Sequence, residues 1–159
     1  MRLKDKVAIV TGGGAGMGRA VAEAYAHQGA RVVVAEINPA NGEATAAAIR
    51  NAGGEAIFAR VDVAQATDIE AMVAQTVAAF GGIDVLYSNA AIQLHGKDAR
   101  AHELSEEIWD RTYNINIRGV WLCAKYAIPA LLQRGGGSII NVASPTGMLG
   151  CAPGYTAYS

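Results

Sequence analysis

The chain has 159 residues, of which 52% are hydrophobic and 17% charged, and its formal net charge is −1. This is the length of one ordinary domain, and the composition argues against a disordered or fibrous protein. Because neither sign of charge dominates and no cluster of Lys and Arg occurs, nucleic acid and anionic membranes are poor partners. We therefore expect one domain over residues 1–159 that binds a small-molecule substrate.

The N-terminus and the cysteines indicate the compartment. The first six residues lead directly into an apolar run, which leaves no room for the apolar stretch and cleavage site of a signal peptide. No segment is long and apolar enough to span a bilayer. Cys123 and Cys151 are the only cysteines and lack metal-ligand spacing, so they fit small apolar side chains better than metal or redox groups. We expect a cytoplasmic protein without a metal site.

The first predicted elements are a strand at residues 7–10 and a helix that includes residues 19–25, with a glycine-rich turn between them. Glycines allow a positive φ and a close approach of the backbone, and a helix N-terminus attracts a pyrophosphate. The turn has the spacing Gly-x-x-x-Gly-x-Gly. We assign cofactor binding in this turn to Thr11, Gly12, Gly14, Gly16, Met17 and Gly18.

The second strand, residues 32–35, is followed by Glu36, eighteen residues after Gly18. A dinucleotide-binding fold has an acidic residue at about this distance, where its carboxylate binds the ribose 2′-OH. Such a carboxylate would repel a 2′-phosphate, so NAD is favoured over NADP. The alternative is that the glycines only form a tight turn and that Glu36 is a solvated strand end.

The remaining elements alternate between helix and strand. In chain order they are a helix between Asn38-Pro39 and Gly53-Gly54, a strand at 56–61, a helix that starts near Thr67 with a capping box to Glu70 and ends at Gly81-Gly82, a strand at 83–87, a surface loop at 93–104, a helical region at 105–132 and a strand at 138–143. This alternation predicts an α/β fold with a doubly wound, Rossmann-type parallel sheet.

Several polar residues directly follow predicted strands. Asp62, Asn89 and Ser144 each do so, as does the glycine turn. In open α/β sheets the ligand crevice lies at the carboxyl ends of the strands. We therefore expect these residues to converge at one edge of the sheet.

Together these motifs resemble the short-chain dehydrogenase/reductase family over the whole chain. The glycine turn matches the family's cofactor turn, and Asp62-Val63 matches its adenine contact. Asn89-Ala90-Ala91 matches part of the family's Asn-Asn-Ala-Gly motif, from which Ser88 and Ala91 depart. The resemblance thus implies cofactor contacts at Asp62, Val63, Asn89 and Ala90.

The same resemblance implies the catalytic residues. Ser144 matches the family's serine that hydrogen-bonds the substrate oxygen, and Asn116 matches the asparagine that holds a water in the proton relay. Tyr158 resembles the start of the Tyr-x-x-x-Lys motif, in which the tyrosine is the base, but the sequence ends before the lysine position. Tyr155 is a rival for Tyr158, although Ser159 would then occupy the lysine position.

These matches imply an NAD-dependent oxidoreductase that transfers a hydride between a secondary alcohol or ketone and a nicotinamide. Family members continue well past this point, so we expect an incomplete chain whose sheet lacks its C-terminal side and whose strand at 138–143 is an open edge. We expect the full-length form to be a homo-tetramer or homo-dimer. Two alternatives stay open: a non-catalytic NAD-binding module that has lost the lysine, and a methyltransferase-type fold.

Overall fold

The computed structural model describes residues 1–149 and 154–158. Their elements in chain order are β1 (Val7–Thr11), α1 (Gly16–His27), β2 (Arg31–Glu36), α2 (Pro39–Asn51), β3 (Glu55–Arg60), α3 (Ala66–Phe80), β4 (Val85–Ser88), α4 (Glu106–Tyr113), a π-helical turn (Asn114–Arg118), α5 (Gly119–Gln133), β5 (Ser138–Asn141) and α6 (Thr146–Leu149). The strands form one parallel sheet in the order β3-β2-β1-β4-β5.

Helices cover both faces of the sheet at its centre, where every residue of β1 is buried. On one face Ala22 of α1 and Ile49 of α2 pack against the sheet. On the other face the core includes Met72 of α3 and Leu122 of α5. Strands buried on two faces carry continuous apolar runs, as β1 and β2 do. The doubly wound, Rossmann-type fold predicted from the sequence is confirmed.

The strand order positions the ligand crevice. From β1 the chain builds outward to β2 and β3, then returns to the other side of β1 with β4. The connections that follow β1 and β4 therefore leave the sheet in opposite directions. Such a switch point at the carboxyl ends of the strands is where open α/β sheets bind ligands.

One helix start differs from its prediction. The predicted capping box of Thr67 and Glu70 is wrong, because α3 begins at Ala66 and Thr67 lies within its first turn. The preceding Gln65 makes no side-chain cap. Instead, the carboxylate of Asp68 accepts a hydrogen bond of 3.0 Å from the backbone N–H of Asp62. The acidic residue of the first turn is thus used to anchor the end of β3.

The predicted helical region at 105–132 is three segments rather than one. Ser105 caps α4, its Oγ accepting from the Ile108 N–H at 3.4 Å. A π-helical turn separates α4 from α5, and Pro129 lies inside α5. Inserted π turns are rare and commonly occur at functional sites. Here the turn carries Asn116.

The strand boundaries shift by one to a few residues. β4 begins at Val85 rather than at 83, and β5 ends at Asn141 rather than at 143. In the described part of the chain β5 has β4 as its one neighbour, and all four of its residues are exposed. None of the helices in the described residues has the length and apolar character that a membrane crossing needs.

Candidate functional site

A cleft of about 450 Å³ opens at the carboxyl ends of the strands. Its walls come from the glycine turn, the ends of β2 and β3, the segment after β4 and the helical region. The lining residues are Gly12, Ala15, Gly16, Glu36, Ile37, Val61, Asp62, Val63, Asn89, Ala90, Ala91, Ile92, Arg111 and Ile115. Seven of the predicted cofactor residues therefore lie on one cleft: Gly12, Gly16, Glu36, Asp62, Val63, Asn89 and Ala90.

Each of the three motif glycines occupies its position for a different physical reason. Gly12 and Gly16 adopt positive φ angles of 64° and 52°. A Cβ on Gly18 would lie 2.1 Å from the Gly12 carbonyl oxygen, so the helix start can pack on the turn only without a side chain. A Cβ on Gly16 would meet nothing within 4 Å, so this face of the turn is open to the cleft.

The N-terminus of α1 is left without a protein cap. Its N-cap residue Ala15 makes no side-chain hydrogen bond, and the first turn holds no acidic residue. The first N–H groups of a helix lack intrahelical partners and carry a partial positive charge. The turn therefore offers donors to an anion at the cleft wall formed by Ala15 and Gly16.

Glu36 is held in place by two backbone donors. Its Oε2 accepts from the Gly14 N–H at 3.1 Å, and its Oε1 accepts from the Asn38 N–H at 3.0 Å. A Cβ on Gly14 would lie 2.6 Å from the Glu36 Cγ. Gly14 does not line the cleft itself, and its role in the structure is to leave room for the Glu36 side chain and to orient it.

Thr11 and Asn89 join β1 to the segment after β4. Thr11 is 1% exposed, and its Oγ1 accepts from the Asn89 and Ala90 N–H groups at 3.0 and 3.1 Å. The Asn89 Nδ2 donates to the Thr11 carbonyl at 3.1 Å and to the Gly12 carbonyl at 3.4 Å. Thr11 thus lies beneath the cleft and fixes Asn89, whereas Asn89 lines it.

Asp62 and Val63 form the cleft wall beyond β3. The Asp62 Oδ1 accepts from the Ala64 N–H at 2.9 Å, which orients the carboxylate. Val63 is buried, and a Cβ on Gly119 would lie 3.0 Å from its Cγ2, so α5 packs closely behind it. Met17, by contrast, is 68% exposed and is not among the residues that line the cleft.

Asn116 lies on the π-helical turn and contacts the cleft wall. Its Oδ1 accepts from the Ile92 N–H at 2.8 Å, and its Nδ2 donates to the Ile92 carbonyl at 2.9 Å. Both ends of the amide are thus used to hold the segment after β4. This pair of bonds is a structural reason for an asparagine at this position.

Ser144 and Tyr158 lie outside the residues that line this cleft. Ser144 follows β5 and is half-buried, and its Oγ accepts from the Thr146 Oγ1 at 2.8 Å. The Tyr158 N–H donates to the Asp98 Oδ2 at 3.1 Å. The connection between these two regions includes residues 150–153, and it lies in part outside the described residues, as do the cysteine at 151 and Ser159.

Sequence reasoning missed several lining residues. Ile37, Ile92, Arg111 and Ile115 line the cleft, yet none belongs to a motif. Arg111 and Ile115 are four residues apart on one helical region, and this spacing was the available signal. Which helical face meets the cleft depends on packing that no local pattern encodes.

Cys123 and Ser88 carry buried polar groups that do not line the cleft. Burial raises the pKa of the Cys123 thiol to about 12, so it stays protonated and unreactive at neutral pH. The Ser88 hydroxyl is buried with no hydrogen-bond partner among the described residues. Within residues 1–149 and 154–158, no group of three His, Cys, Asp or Glu side chains is arranged to hold a metal ion.

Comparison with known proteins identifies the family. The model of the short chain dehydrogenase family matches residues 6–159. The chain belongs to the short-chain dehydrogenase family. Two of its curated relatives are a 2,5-dichloro-2,5-cyclohexadiene-1,4-diol dehydrogenase of Sphingobium indicum, 48% identical over 93% of this chain and 58% of its own length, and a short chain dehydrogenase/reductase of Aspergillus oryzae, 42% identical over 91% and 55%.

A solved short-chain dehydrogenase shares the fold closely. It is a 7 alpha-hydroxysteroid dehydrogenase complexed with NADH and 7-oxo glycochenodeoxycholic acid, with a TM-score of 0.91 and 28% identity, and the match covers 99% of this chain and 60% of that one. The chain therefore spans somewhat more than half the length of the relatives that it matches.

Proposed function

We propose that the natural protein that contains this sequence is an NAD-dependent oxidoreductase that interconverts a secondary alcohol and a ketone. The observation that carries this proposal is the Glu36 carboxylate, fixed by the Gly14 and Asn38 N–H groups at the edge of the glycine-turn cleft. The dehydrogenase names of relatives, and the NADH complexed with the related hydroxysteroid dehydrogenase, support it.

The residues present fit a dinucleotide. The uncapped start of α1 and the open face of Gly16 suit a pyrophosphate. Asp62 and Val63 would hold the adenine, and Asn89 and Ala90 the nicotinamide half. Bound NAD would supply the hydride acceptor, which the side chains of this chain cannot provide.

Glu36 favours NAD over NADP. Each of its oxygens accepts one backbone hydrogen bond and keeps lone pairs for a ribose hydroxyl. A 2′-phosphate would instead bring negative charge next to a fixed carboxylate, and the cleft residue Arg111 is the one Lys or Arg among those that line it. We expect NAD to bind more tightly than NADP.

The proposed chemistry assigns one task to each polar residue. Tyr158 removes the hydroxyl proton of the alcohol as the hydride leaves its carbon. Ser144 donates a hydrogen bond to the oxygen and stabilises its developing negative charge. Asn116 holds the wall segment through its two hydrogen bonds to Ile92. The family resemblance assigns it in addition the water of the proton relay.

The test is a binding and turnover assay on the whole natural protein. NAD binding is measured by calorimetry, and NADH formation is followed by absorbance with a panel of cyclic and linear secondary alcohols. The panel includes cyclic alcohols because two relatives are named for ring alcohols. We expect NAD binding and turnover, with Tyr158→Phe binding NAD normally but forming no NADH.

The second candidate is a non-catalytic NAD-binding module. It predicts equal NAD binding by the wild type and by Tyr158→Phe, with no NADH formed by either. A wild type that binds S-adenosylmethionine and not NAD would contradict both candidates.

We also propose that the natural protein is a homo-oligomer, either a dimer or a tetramer. An exposed apolar stripe, formed by Trp109, Tyr113, Ile117, Trp121, Ile128 and Leu132, follows the helical region from α4 to α5. Apolar patches of this kind on a soluble protein commonly bury against a partner. A second copy of the same helical region would cover the stripe.

A cytoplasmic location is proposed as well. Cys123 is a free, buried thiol, which suits a reducing compartment. Fractionation of the source cells, followed with an antibody to this sequence, tests the location directly. Recovery in a secreted or membrane fraction would contradict it.

A further inference from the structure

The loop between β4 and α4 contacts the segment that carries Tyr158. The Asp98 Oδ1 accepts from the Ala157 N–H at 3.1 Å, and its Oδ2 accepts from the Tyr158 N–H at 3.1 Å. These partners lie 59 and 60 residues away along the chain. One carboxylate therefore binds two consecutive backbone donors at the proposed base.

Asp98 is itself fixed in its loop. Its N–H donates to the Leu94 carbonyl at 2.9 Å, and its Oδ1 also accepts from the Ala99 N–H at 2.9 Å. Because the loop orients this carboxylate, the carboxylate in turn fixes the position of the backbone N–H groups that donate to it. The side chain is half-buried, which limits competition from water.

A second contact joins the same two segments. The rings of His95 and Tyr155 meet edge to face, with their centroids 6.2 Å apart. This geometry is favourable for aromatic pairs. The loop thus contacts the 154–158 segment through both a charged group and a ring.

We propose that Asp98 is a positioning residue for Tyr158. By binding the N–H groups of residues 157 and 158, it holds the backbone from which the phenol projects. The proposal rests on the function given to Tyr158 above. Asp98 is not among the residues that line the cofactor cleft, so its effect on the base is separable from cofactor binding.

The residue type matters because the carboxylate is an acceptor at both oxygens. An asparagine at 98 would keep one acceptor oxygen and turn an N–H group toward the other backbone donor. An alanine would remove both hydrogen bonds. The series Asp, Asn and Ala therefore weakens the hold on Tyr158 in steps without changing the loop length.

The test uses Asp98→Asn and Asp98→Ala in the whole natural protein, with Asp110→Ala as a control, because Asp110 is an exposed acid on α4. Three quantities are measured: amide hydrogen exchange at residues 157 and 158, the Kd for NAD, and kcat with an alcohol that the wild type oxidises. We expect Asp98→Ala to speed exchange and lower kcat by at least tenfold, with Asn intermediate and the Kd for NAD within twofold.

The outcomes separate this proposal from the proposed function. Unchanged exchange in Asp98→Ala would overturn it, as would faster exchange with kcat within twofold of the wild type. A parallel loss of NAD binding would also overturn it, because Asp98 would then support the fold in general. If the wild type binds NAD without turnover, the proposed function fails, and the exchange rates at residues 157 and 158 still decide whether Asp98 holds Tyr158.

Discussion

At the scale of single residues, Gly14 and Glu36 depend on each other. The Gly14 N–H donates to the Glu36 carboxylate, and the missing Cβ of Gly14 leaves the space that the Glu36 Cγ occupies. The position of the Glu36 carboxylate therefore depends on both residues. A carboxylate fixed before the ligand arrives loses little conformational entropy on binding, which favours affinity.

Glu36→Ala should weaken NAD binding and reduce the preference for NAD over NADP. A hydrogen bond to a charged group contributes about 1.5–3 kcal/mol, and 1.4 kcal/mol is a factor of ten, so we expect the Kd for NAD to rise by about tenfold or more. Calorimetric titration with both cofactors measures the change. Glu43→Ala is the matched control, because Glu43 is exposed on α2 and pairs with Arg50. An unchanged ratio of the two Kd values would contradict the role of Glu36.

At the scale of elements, short polar contacts at helix ends decide where the site residues lie. The Asn38 side chain accepts from the Ala40 and Asn41 N–H groups, and so starts α2 directly after Glu36. The π-helical turn determines which residues of the helical region share a face. In an α-helix, residues spaced by four positions rotate gradually around the helix axis. The π-helical turn has more residues per turn and rotates them back, so that Trp109, Tyr113 and Trp121 stay on one exposed side.

Asn38→Ala should lower the free energy of unfolding by about 1 kcal/mol, because it removes the α2 cap. Chemical denaturation measures the loss. Asp also caps helices well, so Asn38→Asp should stay within a few tenths of a kcal/mol of the wild type. NAD affinity should change little in Asn38→Ala, since Glu36 binds the backbone N–H of residue 38 rather than its side chain. Equal stability of the Ala variant and the wild type would contradict the cap.

At the scale of the whole molecule, Asp84 connects distant parts of the chain. It is 7% exposed, and its carboxylate accepts from the Val7 N–H at 2.9 Å, Arg134 at 3.0 Å and Lys6 at 3.3 Å. Burial raises the pKa of the Asp84 carboxyl, but the hydrogen bonds from Val7, Arg134 and Lys6 outweigh it and leave the pKa below the ordinary value. The carboxylate thus joins the start of β1 to the end of α5.

Asp84→Asn should destabilise the protein by about 2 kcal/mol at neutral pH, because the charged acceptor is lost. A carboxyl whose pKa is lower in the folded than in the unfolded state stabilises above its unfolded pKa, about 4, and loses that stabilisation as the pH falls through the folded value. The difference from the wild type should therefore shrink at acidic pH. Denaturation between neutral pH and about pH 3 measures it, with Asp110→Asn as control. A difference that is constant with pH would contradict the assignment.

Trp121→Glu should shift the natural protein to a smaller species. Trp121 is 56% exposed at the middle of the apolar stripe, and Glu there would remove apolar contact area and bring a charge into the interface, which costs desolvation even with Lys125 beside it. Light scattering after gel filtration measures the mass. Trp121→Tyr should keep the wild-type mass, since it retains an aromatic side chain. A wild type that is monomeric, or a Glu variant that keeps the oligomer mass, would contradict the proposed interface.

The sequence predicted the fold because local patterns and sheet topology agree. Local sequence was enough to predict three features: the apolar runs of β1 and β2, the glycine turn, and the acidic residue Glu36. Each depends on residue type and spacing over a short stretch of chain. Asp98 and Arg111 could not be predicted in this way, because their roles depend on partners far along the chain or on which helical face meets the cleft. The Thr67 capping box failed because α3 begins at Ala66, which places Thr67 inside the first turn rather than at the N-cap.

The strand order has a consequence for synthesis on the ribosome. β2 pairs with β1, β3 with β2, β4 with β1 and β5 with β4, so each described strand after β1 pairs with one that has already been made. The described part of the sheet can therefore grow outward from β1 while translation continues. The glycine turn, Glu36 and Asn89 are therefore in place around β1 before β5 is made, whereas the cleft wall that Arg111 and Ile115 form is added only when the helical region emerges.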